Sequence, residues 1–157
     1  MIISPDDYRY IGHPESDELT YTFDPHREPL VWGNAYLAFI AALEGIRRAV
    51  VLVGIPGSGK SRWAAKLYGP VVVFDATSTT KKDRRVLVAL SIARGSAVES
   101  VFFDTPVIEC QARNALREED RRVPDDIVAA MHERLEPPEV KEGFFRCTRI
   151  PYEATNG

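Results

Sequence analysis

Short apolar runs rich in β-branched residues recur along this chain, and amphipathic stretches of helical length separate most of them. The clearest runs predict buried strands at residues 49–53, 71–74 and 98–103, and weaker runs predict strands at 1–4 and 144–147. Near-continuous apolar strands are typical of parallel sheets that are covered on both faces. The pattern therefore predicts an α/β domain with a parallel sheet of about five strands, flanked by helices.

The stretches between the strands carry helix start and stop signals. Asn34 is a candidate N-cap for a helix that runs through Arg48. Further helices are predicted at residues 62–67, 81–94, 105–118 and 123–136. Residues 11–33 contain several prolines and glycines with little periodicity, which predicts a long surface loop.

Composition mainly excludes classes of protein. A length of 157 residues predicts a single domain spanning 1–157. No signal peptide opens the chain and no apolar run approaches the roughly 20 residues of a membrane span, so we expect a cytoplasmic protein with no membrane partner. Cys110 and Cys147 are expected to be reduced thiols, and no zinc-ligand spacing occurs. The net charge of -3 disfavours bulk coating of nucleic acid, although basic residues gather between Lys81 and Arg122.

A glycine-rich segment follows the strand at 49–53. It reads Gly54-Ile55-Pro56-Gly57-Ser58-Gly59-Lys60-Ser61, which is the G-x-x-x-x-G-K-[ST] pattern between a strand and a helix. The glycines let successive backbone N–H groups surround an anion, Lys60 is suited to reach the terminal phosphates, and the Ser61 hydroxyl is suited to bind Mg²⁺. The sequence therefore predicts a site for a nucleoside triphosphate with magnesium.

Acidic residues follow three of the predicted strands. They are Asp6, Asp75 and Asp104. Because ligands of parallel α/β sheets bind at the carboxyl ends of the strands, we expect these carboxylates and residues 54–61 to face one crevice.

Several downstream motifs occur in an order that is more specific than the phosphate loop alone. They are Trp63-Ala64, Phe74-Asp75-Ala76-Thr77, Phe103-Asp104-Thr105-Pro106, Arg113-Asn114-x-x-Arg117, Val123-Pro124, and Pro137 with Glu142-Gly143-Phe144. Together with the loop, over roughly residues 50 to 146, this series resembles the 5′-OH polynucleotide kinase branch of P-loop phosphotransferases. The resemblance implies the P-loop phosphotransferase fold.

The resemblance departs from the family in one place. Family members follow the phosphate-loop helix with a strand that ends in D-D-Y-R, whereas here residues 67–70 run directly into the next strand. Residues 2–9, Ile-Ile-Ser-Pro-Asp-Asp-Tyr-Arg, are similar to the missing unit. The resemblance thus implies a permuted strand order, with the D-D-Y-R strand moved to the N-terminus. The alternative is that Asp6-Asp7 forms an ordinary charged turn.

The resemblance also implies roles for individual residues. Asp6 would accept the proton of the attacking 5′-hydroxyl, with Asp7 as the fallback, and Arg9 would contact the phosphate next to the acceptor nucleoside. Asp75 would organise magnesium together with Ser61, although it is also a rival candidate for the base. Lys60 and Arg117 would be catalytic.

Arg113 and Arg117 have two interpretations, one implied by the resemblance and one in which they are ordinary surface residues. Arg113 would contact the triphosphate beside Arg117, and Arg121 would extend the same stripe. As a bare pattern, such helical arginines are more often solvated. Tyr8, Trp32 and Tyr36 are candidates for stacking on a nucleobase, or else belong to the core.

These observations favour a polynucleotide 5′-kinase that moves the γ-phosphate of ATP or GTP to the 5′-OH end of RNA or DNA, a chemistry used in nucleic acid repair. The alternatives are a P-loop kinase of a small-molecule hydroxyl and a non-catalytic nucleotide-binding module. With no D-x-D-x-T motif, we expect no 3′ phosphatase activity. The sequence leaves open RNA against DNA, ATP against GTP, and the oligomeric state.

Overall fold

The computed structural model of the chain describes residues 1–12 and 19–153. Five strands form a parallel sheet in the spatial order β1-β5-β4-β6-β7. Their bounds are β1 Ile2–Ile3, β4 Arg48–Val53, β5 Val72–Phe74, β6 Ala97–Asp104 and β7 Arg146–Pro151. The remaining two strands, β2 Tyr10–Gly12 and β3 Leu19–Tyr21, pair with each other in antiparallel fashion. The predicted fold class, a five-stranded parallel sheet flanked by helices, is confirmed.

In the described part of the chain, five α-helices accompany the sheet. They are α1 Glu28–Ala42, α2 Lys60–Ala64, α3 Lys81–Ala93, α4 Val107–Ala115 and α5 Asp125–Glu133. Short 3-10 turns cover Pro5–Tyr8, Glu119–Arg121 and Val140–Glu142. Within the described part of the chain, no helix is both long and apolar enough to cross a membrane.

The two faces of the sheet bury different helices because side chains alternate along each strand. Val51 and Val53 of β4 belong to the core cluster that contains α1 and α3, whereas Val50 and Leu52 belong to the cluster that contains α2. Helices α1 and α3 lie on one face and α2 on the other because crossover connections between parallel strands are right-handed. The chain moves across the sheet in one direction from β1 to β4 and from β5 to β6, and in the opposite direction from β4 to β5.

The N-terminal strand lies at one edge of the sheet. Ile2 and Ile3 pair in parallel with Val73 and Phe74 of β5, and the Met1 amino group donates to the carbonyl of Val71 at 2.7 Å. The chain then enters the Pro5–Tyr8 turn, where the Ser4 hydroxyl accepts from the N–H of Asp6 at 3.3 Å. This pairing brings the turn to the carboxyl end of β5.

Some predicted boundaries were wrong. The first helix spans 28–42 rather than 34–48, because Pro29 suits the first helical turn and Gly45, with φ +71°, lies in the turn before β4. The predicted loop at 11–33 therefore contains β3 and the start of α1, and its residues 13–18 lie outside the described residues. The last strand begins at Arg146, not 144, because the Phe144 side chain is buried in the core.

A fully buried arginine fastens the loop after β5 to the segment after α5. Arg84 donates to both carboxylate oxygens of Glu142 at 2.8 Å each. Its remaining nitrogen donates to the carbonyls of Ser78, Thr79 and Glu136 at 3.1, 3.2 and 2.9 Å. One side chain thus bonds to three loop carbonyls and to one largely buried carboxylate.

Replacing Arg84 with methionine tests this role. Removing one partner of a buried ion pair leaves the other charge and the carbonyls unpaired, so Arg84→Met should lower the free energy of unfolding by about 3–5 kcal/mol. Urea denaturation measures the loss. Arg85→Met, at the neighbouring exposed position, should cost less than about 1 kcal/mol. Equal effects of the two substitutions would contradict the role of Arg84.

Candidate active site

The phosphate loop, Gly54–Ser61, connects β4 to α2. It contains three glycines at positive φ, namely Gly54, Gly57 and Gly59 at +157°, +83° and +100°. Both neighbouring strands hold it in place. The N–H of Gly54 donates to the carbonyl of Thr77 after β5 at 3.1 Å, and the Thr105 hydroxyl after β6 donates to the carbonyl of Ser58 at 3.1 Å. Pro56 and Ser58 are buried in the same turn. The loop is thereby fixed at the carboxyl edge of the sheet.

Helix α4 lies directly against the loop. A Cβ atom at Gly57 would lie 2.3 Å from the backbone oxygen of Cys110, too close for any side chain. Cys110 itself is buried, and burial raises the pKa of its thiol to about 11. Cys110 is therefore a packing residue that marks where the helix meets the loop.

Lys60 is buried inside the loop. Its Nζ donates to the carbonyl of Ile55 at 3.0 Å. Burial lowers the pKa of Lys60 to about 8, and the carboxylate of Asp75 acts in the opposite direction. A phosphate bound in the loop would place a negative charge beside the buried Lys60 ammonium and so favour its charged form.

Asp75 lies at the end of β5 beside the loop. Burial raises the pKa of Asp75, while the neighbouring Ser61 hydroxyl and the charge of Lys60 lower it. A serine hydroxyl next to a carboxylate fits the oxygen ligands that Mg²⁺ prefers, with phosphate and water completing the shell. No group of three or more His, Cys, Asp or Glu residues forms a metal-binding cluster among the described residues. The two residues thus fit a magnesium site shared with a nucleotide.

Asp6 lies on the turn after β1, and its side chain is 61% exposed. The negative charge of Asp6 raises the pKa of Asp75 and also the pKa of Lys60, so the three groups interact electrostatically. The carboxylate pairs with Arg9 and accepts from the Tyr21 hydroxyl at 3.4 Å. Asp7 instead accepts from the N–H of Ser4 at 3.3 Å, within a capping box. Asp6 therefore acts electrostatically on Lys60 and Asp75, whereas the Asp7 carboxylate is engaged in capping its own turn.

Arg9 is already engaged by residues of this chain. Its guanidinium donates to both carboxylate oxygens of Glu28 at 2.9 and 2.7 Å, and it also contacts Asp6 and the Tyr21 hydroxyl. Glu28 in turn accepts from the indole N–H of Trp32 at 3.2 Å. These bonds to Glu28 and Asp6 raise the pKa of Arg9 against the effect of burial. In this arrangement Arg9 orients Asp6.

Arg113 and Arg117 line a pocket of about 220 Å³ with Gly57, Gly59, Lys60, Ser61 and Arg62. Arg113 donates to Glu109 at 2.9 Å and lies 5.6 Å from the ring centre of Tyr152. The prediction that Arg117 shares a helix with Arg113 is wrong, because α4 ends at Ala115. The buried Asn114 side chain exchanges hydrogen bonds with the backbone of Val123 at 2.6 and 3.2 Å, which stabilises the turn.

Two other candidate residues, Arg121 and Asp104, pair with residues outside the phosphate loop. Arg121 donates to the Tyr10 hydroxyl and lies 5.7 Å from the ring centres of both Tyr10 and Tyr21, so it contacts the β2–β3 hairpin instead of extending the arginine stripe. Asp104 pairs with Arg149 of β7.

Sequence reasoning missed the residues that support the site. Glu28 and Tyr21 fall in the segment predicted as a loop, so nothing there indicated a partner for Arg9 or Asp6. Pro29 could have indicated the start of the helix, because proline is common in the first helical turn, and this would have placed Glu28 at that start.

Gly57→Ala should abolish ATP binding, because the new Cβ would require the loop and α4 to separate. Gly69→Ala is a matched control, since Gly69 also has positive φ, at +91°, but open space around it. We expect the control to lose about 1 kcal/mol of stability and to keep its affinity. Calorimetric titration with MgATP and a thermal melt check both variants. Retention of wild-type affinity by Gly57→Ala would contradict the close contact.

The pH dependence of nucleotide binding should report Lys60. With a pKa of about 8 in the free protein, Lys60 loses its charge as the pH rises through that value, whereas bound phosphate favours the charged form. ATP binding near pH 9 should therefore take up close to one proton, and affinity should fall as the pH rises above about 8. Calorimetry in two buffers of different ionisation enthalpy measures the uptake. Lys60→Met should remove it, and the exposed Lys66→Met should not.

Comparison with protein families matches residues 68–138 to a model described as an AAA domain. The match covers less than half of the chain, begins after α2, and includes Asp75, Arg113 and Arg117 but not the phosphate loop. No curated protein matches the chain. Taken with the loop geometry, the match supports a P-loop domain of the kinase or NTPase type.

Proposed function

We propose that this domain transfers the γ-phosphate of ATP or GTP to the 5′-hydroxyl end of an RNA or DNA strand. The observation that carries the proposal is the position of Asp6. Its exposed carboxylate lies at the carboxyl edge of the sheet, where its charge acts on both Lys60 and Asp75. A hydroxyl that donates to Asp6 would therefore approach the terminal phosphate of a nucleotide in the loop.

The sheet order supports the permuted arrangement. β1, which leads into Asp6-Asp7-Tyr8-Arg9, lies next to β5, which leads into Asp75-Ala76-Thr77. It is two positions from β4, the strand before the phosphate loop, although it comes first in the chain. The family match begins at residue 68, close to the point at which the chain order departs from that of the polynucleotide kinase family. Packing decides where a strand lies in a sheet, and chain order decides only which loops connect the strands.

The proposed step is an in-line displacement. Asp6 accepts the proton of the 5′-hydroxyl, the hydroxyl oxygen bonds to the γ-phosphorus, and the bond from that phosphorus to the β–γ bridging oxygen breaks to release the nucleoside diphosphate. Arg9, fixed by Glu28, holds the Asp6 carboxylate in place. Lys60 and Arg117 stabilise the negative charge that develops on the phosphates.

Magnesium completes the donor side of this scheme. Ser61 and Asp75 are the residues that would hold Mg²⁺, which would supply positive charge to the bound phosphates. Asp75 is 9% exposed and adjoins Ser61, which suits a residue facing a metal. Asp6 is exposed, which suits a residue facing an acceptor that arrives from solvent. This contrast supports Asp6 as the proton acceptor and Asp75 as the residue that faces magnesium.

Transfer of label from γ-labelled ATP to a 5′-OH oligonucleotide with Mg²⁺ tests the proposal. Asp6→Asn should lower kcat by about 10²–10⁴-fold, with ATP affinity unchanged, because it removes the proton acceptor. Asp7→Asn is the matched control, since it makes the same charge change at a capping residue and should keep most activity. Asp75→Asn should raise the Mg²⁺ concentration required.

Three outcomes would contradict the scheme. Loss of transfer in Asp75→Asn with near-normal activity in Asp6→Asn would make Asp75 the base. A nucleoside that is phosphorylated as efficiently as the oligonucleotide would favour a small-molecule kinase. Tight ATP binding without transfer to either acceptor would favour a non-catalytic nucleotide-binding module.

A further inference from the structure

A second pocket, of about 460 Å³, lies between α1, the loop after β5 and the end of α5. Its lining shares no residue with the phosphate pocket. The lining residues that matter here are Trp32, Tyr36, Thr77, Lys82, Asp83 and Arg134. The volume is within the range of roughly 300–1,000 Å³ that is typical of small-ligand sites.

Residues of this pocket are hydrogen-bonded both to the phosphate loop and to the residues that hold Asp6. On one side, the carbonyl of Thr77 accepts from the N–H of Gly54 in the phosphate loop at 3.1 Å. On the other side, Trp32 donates to Glu28, and Glu28 binds the Arg9 that pairs with Asp6. A ligand that contacts Trp32 would therefore be connected to the candidate base, Asp6, through three successive hydrogen-bonded contacts.

Aromatic rings form one wall of the pocket. Trp32 and Tyr36 are half-buried, with ring centres 5.9 Å apart, and Phe74 lies behind them at 6.2 and 5.8 Å. This backing fixes the rings and lets their remaining surface face the pocket. A rigid aromatic wall of this kind suits stacking by a nucleobase.

Two cationic residues, Lys82 and Arg134, also line the pocket and are together termed its cationic side. Lys82 and Arg134 are exposed, and neither forms an ion pair with any residue in the described ranges 1–12 and 19–153. The one acidic lining residue, Asp83, accepts from the N–H of Thr80 at 2.9 Å as part of the α3 capping box. Two unpaired cations facing one engaged carboxylate suit a phosphate group.

We propose that this pocket is a subsite for one nucleotide of the acceptor strand, which rests on the proposed function. The base stacks on Trp32 and Tyr36, and the adjoining phosphate binds Lys82 and Arg134. Since Glu28 and Asp6 already occupy the Arg9 guanidinium, the strand needs other cations, and the pocket provides them. The subsite would favour a strand over a single nucleoside.

Fluorescence anisotropy of a 3′-labelled, 5′-OH tetranucleotide tests the cationic side. Lys82→Ala and Arg134→Ala should each weaken binding about 5- to 20-fold and reduce the salt slope of log K by about 0.7, as expected for one lost phosphate contact on a single strand. Affinity for MgATP should not change. Arg85→Ala is the matched control, because Arg85 is an exposed cation of α3 outside the pocket, and it should bind like the wild type.

The aromatic wall has its own test. Trp32→Leu should weaken tetranucleotide binding about 5- to 100-fold, and Trp32→Phe should restore most of it, because a phenyl ring still stacks. In a Trp63→Phe protein, Trp32 is the single tryptophan, and the tetranucleotide should quench its emission. This quenching measures occupancy of the pocket while all of the residues that line it remain unchanged.

The outcomes separate the subsite from the kinase proposal. A tetranucleotide that binds with the expected variant effects but is never phosphorylated would support the subsite and refute the kinase. Efficient phosphorylation with no effect of Lys82→Ala, Arg134→Ala or Trp32→Leu would refute the subsite alone. A tetranucleotide that neither binds nor quenches Trp32 emission would overturn the subsite.

Discussion

The parallel pairing of Ile2 and Ile3 with Val73 and Phe74 is the constraint on which the candidate active site depends. A strand of two residues supplies few ladder hydrogen bonds, so other contacts must hold it in register. The Met1 amino group bonds to Val71, Ile3 enters the core, and Arg9 on the following turn is fastened to α1 through Glu28. Without this pairing Asp6 would have no fixed position relative to the phosphate loop.

Two buried groups of opposite charge, Lys60 and Asp75, lie at the carboxyl edge of the sheet. Lys60 is buried with a lowered pKa and Asp75 is buried with a raised pKa, and each acts to restore the ionised form of the other. Neither is neutralised by a direct contact, as Lys60 donates to a carbonyl instead. A site of this kind gains favourable interactions when a polyanion and a divalent cation enter together, which is what a magnesium nucleotide provides.

The sequence predicted the parts of the structure that local chemistry determines. The loop at 54–61 needs glycine at the positive φ of Gly57, and the β4 run is apolar because both faces are covered. The hairpin strands β2 and β3 escaped detection because they are three residues long and largely exposed. Other contacts could not be predicted because the hydrophobic periodicity of the sequence does not reveal side-chain hydrogen bonds to residues elsewhere in the chain. These include the hydrogen bonds of Glu28, Arg84 and Asn114.

The arrangement of strands explains how the same edge of a sheet can be assembled from differently ordered segments. β1, β4 and β5 each lead into residues of the candidate site at their carboxyl ends, and pairing with the neighbouring strand determines where those residues lie. The connection from β1 to β4 must then pass over β5, and α1 makes that passage on the face that right-handed crossovers require. The same helix brings Glu28 to Arg9 and Trp32 to the second pocket. The unusual connection therefore contributes to both the orientation of Asp6 and the wall beside it, so that α1 couples the fold to the site.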